Sequence, residues 1–270
     1  MTLRSMSLIL SVSLSLCSIS CTKKETVAGP TIYLPATEDI SSGVQLYLPL
    51  AGNAIDSSGH SLNGTTFNTI PVADRLGNPN SALSFNGLTS FVQMGDILDA
   101  VFCKPIAQFT VVGWARTVNY GTSYGGGGMM IGKAGGGNAG PYEWVISHVD
   151  GAIVAAVFFD TLSSNYVRLD YPMATSVWFQ FTMVFDGSQT ASARLKLFVN
   201  GHDFNEATQR VVGTIGTAPV NSSQHLTIGS GHPAGMPNTP NNLYNGTLAE
   251  IRIYNRALTP AQILFLYGTP

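Results

Sequence analysis

The sequence predicts an all-β domain: an antiparallel sandwich or jelly roll of two sheets, with a short helix at the C-terminus. Short apolar runs recur from Val44 onward between turns rich in Gly, Asn and Pro, a spacing typical of such sandwiches. Asp-Gly and Asn-Gly dipeptides between some of these runs indicate tight hairpins. No segment before the last ten residues shows clear helical periodicity.

The N-terminus resembles a bacterial lipoprotein signal. Arg4 precedes the apolar run "LILSVSLSLCSI" (8–19), which is shorter than the roughly 20 residues that a membrane span needs and suits a secretory signal. Cys21 follows small residues and precedes "TKKE", so the resemblance implies that this cysteine is acylated and becomes the mature N-terminus. Ser18 departs from the Leu that such signals favour, and an ordinary signal peptide is the alternative.

We therefore predict a signal peptide at 1–20, a tether at 21–42 and one domain at 43–270. The protein is then expected to be an outer membrane lipoprotein of a Gram-negative bacterium, held to the membrane by its lipid alone. Among the residues directly after the lipidated cysteine only Glu25 is acidic, which does not distinguish the periplasmic from the cell-surface side. Cys103 is the one cysteine left in the domain, so no disulfide framework is expected.

The low content of charged residues limits the classes of partner. Charged residues make up 10% of the chain and the net charge is −2, whereas typical soluble domains have roughly 25% charged residues. No basic cluster extends beyond the two lysines after Cys21, so nucleic acid is not expected as a partner. A surface solvated mainly by Asn, Ser, Thr and Gly suits uncharged partners.

Two hairpin signals predict specific strand pairings. "VDGA" (149–152) and "VNGH" (199–202) each place a two-residue turn between apolar strands. The first turn pairs Trp144 with Val157. The face of this hairpin that carries Tyr142 and Trp144 is the bulkier one and is predicted to be core.

The strand "VWFQFTMVF" (177–185) alternates between two stripes of side chains. One stripe is apolar and is predicted to face the core, namely Val177, Phe179, Phe181, Met183 and Phe185. The opposite stripe is mixed and is predicted to be half-wet, namely Trp178, Gln180, Thr182 and Val184. One dry and one partly solvated face is typical of a sandwich strand.

The closing segment, "NGTLAEIRIYNRALTPAQILFLYG" (245–268), reads as a strand followed by a helix. Alternation predicts that successive side chains point to opposite faces of this strand. One face carries Ala249, Ile251 and Ile253, and the other carries Leu248, Glu250, Arg252 and Tyr254. Thr259 is predicted to be the helix N-cap, Pro260 the first helical residue and Gln262 the partner in a capping box. Because the helix is short and apolar, we expect it to dock on the sheets as a lid at one edge.

This closing segment closely resembles the last motif of laminin-G-like jelly rolls in the concanavalin A-like lectin and glucanase superfamily. "LYLPLAGNAIDSSGHSLNGT" (46–65), "FTVVGWAR" (109–116) and "LKLFVNG" (195–201) agree in order, and the resemblance covers about residues 43–268. Ala249 stands where the family usually has an acidic residue. The resemblance implies two curved sheets of six or seven strands, one face concave, with packing roles for the tryptophans Trp114 and Trp178.

The sequence does not predict an enzyme. Retaining glycosidases need two carboxylates about 5 to 5.5 Å apart, which a Glu-x-Asp-x-Glu run on one strand would supply, and no such run occurs. The close acidic pairs lie in the tether or in turn-like stretches: Glu38/Asp39, Asp96/Asp99 and Asp203/Glu206. The five histidines are scattered, without the spacing of a zinc site.

One loop offers candidate calcium ligands. "DSSGHSLNG" (56–64) gathers the oxygen-bearing side chains of Asp56, Ser58 and Asn63, and Ca²⁺ prefers oxygen ligands of these kinds. A structural Ca²⁺ is therefore possible as a cofactor. The alternative is a turn held by Asx-type hydrogen bonds without an ion.

The segment 118–144 is the candidate binding loop. It interleaves aromatic and basic side chains with ten glycines, and its candidate sugar contacts are Tyr120, Tyr124, Lys133 and Tyr142. Aromatic faces and accessible backbone amides suit a sugar, whereas the alternative is a solvent loop whose aromatics fold back on the sandwich.

Together these observations predict a lipid-anchored envelope protein whose non-catalytic domain binds a glycan or polysaccharide. An adhesion or scaffold module that contacts protein, without a sugar site, is the alternative. A glycan-cleaving enzyme is the third hypothesis.

Overall fold

A computed structural model describes residues 38–119, 128–135, 141–203, 208–231 and 241–269. The chain divides into a unit Met1–Tyr33 and a unit Leu34–Pro270, and all described residues lie in the second. Cys21 and the predicted signal peptide lie outside the described residues, as does most of the predicted tether. No helix in the described part of the chain is long and apolar enough to cross a membrane.

The described residues form mainly short strands. The first half contains β1 Val44–Leu48, β2 Thr65–Phe67, β3 Ile70–Val72, β4 Ala82–Asn86, β5 Phe91–Gly95, the one-turn helix α1 Asp99–Phe102, β6 Gln108–Asn119 and β7 Met129–Ala134. The second half contains β8 Tyr142–Val149, β9 Ala152–Phe158, β10 Tyr166–Pro172, β11 Phe179–Asp186, a 3-10 turn Ala191–Ala193, β12 Leu195–Val199, β13 His202–Asp203, β14 Thr208–Val212, β15 Leu226–Ile228, β16 Asn245–Tyr254 and α2 Pro260–Gly268. Sequence periodicity missed α1, which is a single turn.

The strands form two antiparallel sheets, which confirms the predicted all-β sandwich. Sheet A has the order β13-β12-β11-β6-β16-β4-β3, with β1 also paired to β16. Sheet B has the order β14-β10-β9-β8-β7-β15-β5-β2. Within the described ranges each sheet has eight strands, more than the six or seven that the resemblance implied.

Both predicted hairpins are present. Asp150 and Gly151 have φ of 49° and 75°, the left-handed backbone that a tight turn of this kind requires. This turn pairs Trp144 with Val157 as predicted. The second turn joins β12 to β13 and pairs Val199 with His202.

The core lies between the two sheets and is lined by alternate residues of nearly every strand. Phe179, Phe181, Met183 and Phe185 of β11 belong to it, as predicted. Val177 does not, because it precedes the strand and its side chain is 47% exposed.

Gly113 is required where β6 crosses this core. A Cβ on Gly113 would lie 2.5 Å from Ile251 Cδ1 and 2.6 Å from Phe181 Cζ. Such distances are too short for a dense, well-packed interior to accept. The glycine therefore lets β16 and β11 bring large side chains together above β6.

Helix α2 begins as the sequence predicted. Thr259 accepts a hydrogen bond from the backbone of Gln262, the Gln262 side chain completes the capping box, and Pro260 occupies the first turn. The helix covers the outward face of sheet A rather than an edge, because Ile263 and Leu266 pack on side chains of that face. The stripe of β11 predicted to be half-wet is consequently buried: Gln180, Thr182 and Val184.

The predicted faces of β16 were wrong because this strand contains a bulge. The register with β6 shifts between Ala249 and Arg252, and Glu250 has a left-handed φ of 52°. One extra residue reverses the alternation of side chains. Leu248 therefore faces the core together with Ile251 and Ile253, whereas Ala249 lies on the outward face against Trp114.

The two tryptophans implied to be packing residues do pack. Trp114 is 6% exposed. The Arg75 guanidinium lies 4.1 Å from its ring, and the ring of Tyr267 stacks on it at 5.6 Å. Trp178 is half-buried beside the same cluster, with Arg116 5.6 Å above its ring. Neither ring is a free platform for a ligand.

Candidate functional site

The structure brings two of the four predicted sugar contacts into one region. Tyr120 and Tyr124 lie outside the described residues. Lys133 and Tyr142 lie on the adjacent strands β7 and β8, in which Ala134 pairs with Tyr142 and Lys133 pairs with Trp144. The two side chains point to opposite faces of sheet B.

A bulge at Glu143 causes this separation. Trp144 and Tyr142 pair with consecutive residues of β7, so Glu143 is the extra residue and the alternation of β8 reverses. Trp144 faces the core, while Tyr142 belongs to a separate cluster on the outward face. The prediction that Tyr142 shares the core face with Trp144 was therefore wrong, because it assumed an unbroken strand.

Tyr142 begins a row of aromatic side chains on the outward face of sheet B. Its ring lies 5.1 Å from that of Phe158, and Phe158 lies 5.7 Å from Tyr166. The three residues come from β8, β9 and β10, and they are called the aromatic row below. Tyr142 and Phe158 are almost buried, whereas Tyr166 is partly exposed.

Polar groups flank the aromatic row. The side chain of Asn242 hydrogen-bonds the Tyr142 phenol, which burial nevertheless holds at a raised pKa of about 12. Arg168 and Asp170 follow Tyr166 on the same face of β10 and form an ion pair with each other. Asn242 is 9% exposed, and its Oδ1 is buried without a hydrogen-bond partner in the structure.

The side chains between these groups are small and buried. Arg168 pairs across the sheet with Ala156, Ala156 with Val145, and Val145 with Gly132. A Cβ on Gly132 would lie 2.7 Å from the Trp144 carbonyl oxygen, so this buried position requires glycine. The outward face of sheet B thus combines aromatic rings, small side chains and polar groups, a combination that suits an uncharged ligand. Among these residues, the partly exposed ones are those of β10, namely Tyr166, Arg168 and Asp170.

Sequence reasoning missed Tyr166, Arg168 and Asp170. Their spacing of two in "NYVRLDY" places all three on one face of a strand, and this signal was available. Phe158 and Asn242 come from other parts of the chain, and only the fold brings them to Tyr142.

Lys133 lies inside the domain, in a cluster of three carboxylates. Its ammonium is 2.8 Å from Asp96 and 3.5 Å from Glu143, and it pairs with Asp99. It also donates to the Ile97 carbonyl oxygen at 3.3 Å. The side chains of Lys133 and Glu143 have no exposed surface. A contact of this ammonium with a surface sugar is therefore not supported by its position.

Burial dominates the electrostatics of this carboxylate cluster. It raises the pKa of Glu143 to about 7, although Lys133 and the hydrogen bonds from Ser222 oppose the shift. Burial also raises the pKa of the Cys103 thiol to about 12, so this cysteine is a poor nucleophile.

The carboxylate cluster has the ligand spacing of a metal or catalytic site, but a substrate cannot reach Glu143, which is buried. Ligand atoms of Asp99, Cys103 and Glu143 lie within 4.8 Å of one another, close to the separation of a retaining glycosidase pair. The Lys133 ammonium already pairs with both carboxylates. Glu143 has no surface that a sugar could reach, so the arrangement does not fit substrate attack.

The candidate calcium loop is held by hydrogen bonds from the protein. Asp56 Oδ1 accepts from the backbones of Tyr47 and Ser58 at 3.0 and 2.8 Å. Asp56 Oδ2 accepts from the Ser58 hydroxyl and the Leu62 backbone at 2.8 and 3.0 Å. Asn63 Oδ1 accepts from the Asp56 backbone at 2.9 Å. Burial raises the pKa of Asp56, but these donors outweigh it and lower the pKa overall.

Comparison with protein families gives one match. The family model described as the concanavalin A-like lectin/glucanases superfamily matches residues 86–264, a stretch that contains the aromatic row. A comparison with curated protein sequences gave no significant match.

Solved structures resemble the chain over most of its length. Domain 4 of AbnA, an extracellular arabinanase of Geobacillus stearothermophilus solved with arabinotriose, has a TM-score of 0.56 and 18% identity and covers 83% of this chain and 98% of its own. The binding domain of botulinum neurotoxin DC, in complex with SialylT, has a TM-score of 0.60 and 14% identity and covers 84% of this chain. The binding domain of Paraclostridial Mosquitocidal Protein 1 has a TM-score of 0.59, 14% identity and the same coverage. The chain spans about half, 52%, of each toxin binding domain.

Proposed function

The chain belongs to the laminin-G-like family of the concanavalin A-like lectin/glucanases superfamily, and from this premise we propose that it is a non-catalytic module that binds a neutral glycan on the outward face of sheet B. The observation that carries the proposal is the aromatic row, flanked by the Asn242 amide and the Arg168–Asp170 pair. Sugars offer apolar ring faces and many hydroxyl groups, and this surface offers partners for both.

The charges of the domain favour a neutral ligand over an anionic one. Arg168 is paired with Asp170, and Arg210 lies 3.9 Å from the same carboxylate. Binding must then rest on ring contact and neutral hydrogen bonds. Covering about 100 Å² of apolar surface contributes roughly 2.5 kcal/mol before ordering costs, so one ring can separate weak from undetectable binding.

The solved neighbours support this proposal at different strengths. The arabinanase domain matches over nearly its whole length and was solved with a neutral trisaccharide, so the ligand named there is bound by the part that resembles this chain. The toxin domains match over half their length, so the ligand in that complex is not assigned to the matched half. At these identities the likeness concerns the fold, and the sugar itself has to be found by experiment.

The predicted loop contacts extend the same site. Tyr142 closes the segment that also holds Tyr120 and Tyr124, and its ring lies in the aromatic row. We propose that Tyr120 and Tyr124 add platforms to it. The double substitution Tyr120→Ala with Tyr124→Ala should then weaken glycan binding at least about tenfold with little change in the melting temperature.

A protein-binding scaffold is the second candidate, favoured by the exposed edge of sheet B. Among the residues that the structure describes, strand β14 pairs only with β10, and Val211 and Val212 are 45% and 39% exposed. An open edge of this kind can accept a strand from another chain. A partner protein that binds at the β14 edge should still be captured by the Tyr166→Ala variant. That result would favour this candidate over glycan binding.

Lipid anchoring is proposed from the sequence. The junction "SISCTKKE" around Cys21 supports acylation, and each buried CH₂ of an acyl chain contributes about 0.8 kcal/mol to membrane binding. The module would then present its glycan site from the outer membrane, on the periplasmic or the cell-surface side.

A glycan array tests the proposed function. The protein is applied to immobilised neutral and acidic oligosaccharides, beside Tyr166→Ala and the matched control Tyr47→Ala. Tyr47 is a partly exposed tyrosine of sheet A whose ring lies 4.1 Å below Arg252. We expect binding to neutral glycans that Tyr166→Ala weakens at least about tenfold and Tyr47→Ala leaves unchanged. Equal binding by both variants would move the site elsewhere.

A further inference from the structure

The orientation of Tyr142 depends on the bulge at Glu143. Without the extra residue, alternation would place Tyr142 on the core face beside Trp144, because a shift of one residue moves a side chain to the other face. The Tyr142 backbone N–H donates to the Ser163 hydroxyl at 3.2 Å. The phenol is held separately by Asn242.

The Glu143 carboxylate in turn holds the bulge in place through its hydrogen bonds and an ion pair. Oε1 accepts from the backbone N–H and the hydroxyl of Ser222 at 3.0 and 2.8 Å. Oε2 lies 3.5 Å from the Lys133 ammonium and 3.9 Å from the Cys103 sulfur. The carboxylate is therefore tied to β7 on one side and to the segment before β15 on the other.

We propose that Glu143 is a positioning residue for the glycan site: its tie to Lys133 and Ser222 fixes the bulge that turns Tyr142 outward into the aromatic row. The inference about glycan affinity rests on the proposed function, whereas the coupling between Glu143 and the Tyr142 ring does not. Glu143 reaches no ligand itself, since its side chain is fully buried.

The charges around Glu143 make this coupling sensitive to pH. Lys133 faces it from β7, Asp96 and Asp99 lie beyond that ammonium, and the Cys103 thiol approaches from the end of α1. Burial raises the Glu143 pKa to about 7. Above pH 7 the ionised carboxylate is tied by both the ammonium and Ser222, and below it the attraction to the ammonium is lost. The tie between the bulge and β7 is thus strongest at the higher pH, whereas the net effect of the buried charge is to lower the stability of the whole fold there.

Two readouts of the protein test this coupling. The first is the ring resonance of Tyr142, assigned with Tyr142→Phe, followed by NMR from pH 5 to 9 without ligand. We expect a shift with a midpoint near pH 7 that Glu143→Gln abolishes. Ser222→Ala, which removes one hydrogen bond from the carboxylate without changing the charge, should move the midpoint upward. It also keeps the test decisive if Glu143→Gln does not fold.

The second readout repeats the array of neutral oligosaccharides at pH 5.5 and 8. Wild-type binding should be about threefold weaker at pH 5.5, with no such difference in Glu143→Gln. A Tyr142 resonance that does not titrate, or that titrates equally in Glu143→Gln, overturns the positioning role whatever the array shows. A titrating resonance with no glycan bound at either pH supports the positioning role and overturns the proposed function.

Discussion

Glu143→Gln should remove a pH dependence of folding stability that originates in the carboxylate cluster. The Glu143 side chain is fully buried, and burial raises its pKa from the ordinary 4.5 to about 7. Because the folded-state pKa lies above the unfolded value, the folded protein binds more protons between these two pH values. The contribution of Glu143 to stability is therefore fully present below pH 4.5 and is lost as the pH rises through 7.

The size of this effect follows from the difference between the two pKa values. Each pKa unit corresponds to about 1.4 kcal/mol, so the free energy of unfolding should fall by about 3 kcal/mol between pH 4.5 and 8 on account of Glu143 alone. Acidic groups whose pKa is lowered by folding affect stability in a different pH range. Burial raises the pKa of Asp186, but hydrogen bonds led by that of Ser188 lower it to about 2, so its contribution is lost only as the pH falls below 4.

Urea unfolding of the wild type and Glu143→Gln at several pH values from 4.5 to 8 measures this. The variant carries a neutral side chain of the same shape, so its stability relative to the wild type should rise by about 3 kcal/mol across the range. Glu250→Gln is the control, because it removes a carboxylate that pairs with Arg75 and Arg252 outside the cluster. Parallel curves for the wild type and Glu143→Gln would refute the reasoning.

Three further substitutions test other parts of the account. Gly113→Ala forces a Cβ against Ile251 and Phe181 and should destabilise the fold by about 1–3 kcal/mol in urea unfolding; no loss would show that the core relaxes there. Asp56→Ala should lower the melting temperature equally in EDTA and in Ca²⁺, because protein donors already surround the carboxylate, and a loss seen only with Ca²⁺ would reveal a bound ion. Cys21→Ala should release the protein from membranes, and mass spectrometry that finds the mature N-terminus elsewhere would rule out the anchor.

Local patterns predicted those parts of the fold that local chemistry decides. The Asp150-Gly151 turn adopts the backbone that its residue types favour, and it sets the register of β8 and β9. The Thr259 capping box forms as the sequence indicated. Each of these needs only a few neighbouring residues, so the sequence contains the whole signal.

The errors arise where one strand meets another. Bulges at Glu143 and Glu250 reverse the alternation of β8 and β16 and move Tyr142 and Ala249 to the outward faces. Alternation alone cannot show an extra residue, because the bulge is defined against the partner strand. The docking of α2 likewise buries Thr182 on a face that strand periodicity alone predicts to be half-wet.

The candidate site needed the fold because its parts are far apart in the chain. Phe158 reaches Tyr142 through the pairing of β8 with β9. Asn242 reaches it from the segment before β16, where its carbonyl oxygen accepts from the backbone of Met129 at the start of β7. Lys133 belongs to the same segment as Tyr142, yet the opposite direction of its side chain places it in an internal ion cluster. Composition favours an uncharged ligand, which stays a prediction, and the arrangement of strands determines which residues are available to one.

The central claim is that a neutral glycan lies on the outward face of sheet B. A crystal structure of the protein with the oligosaccharide that gives the strongest array signal tests it most directly. The account predicts a sugar ring within about 4 Å of Tyr166, with hydroxyl groups bonded to the Asn242 amide or to the Arg168–Asp170 pair. Sugar density on sheet A, or at an end of the sandwich away from the aromatic row, would contradict it.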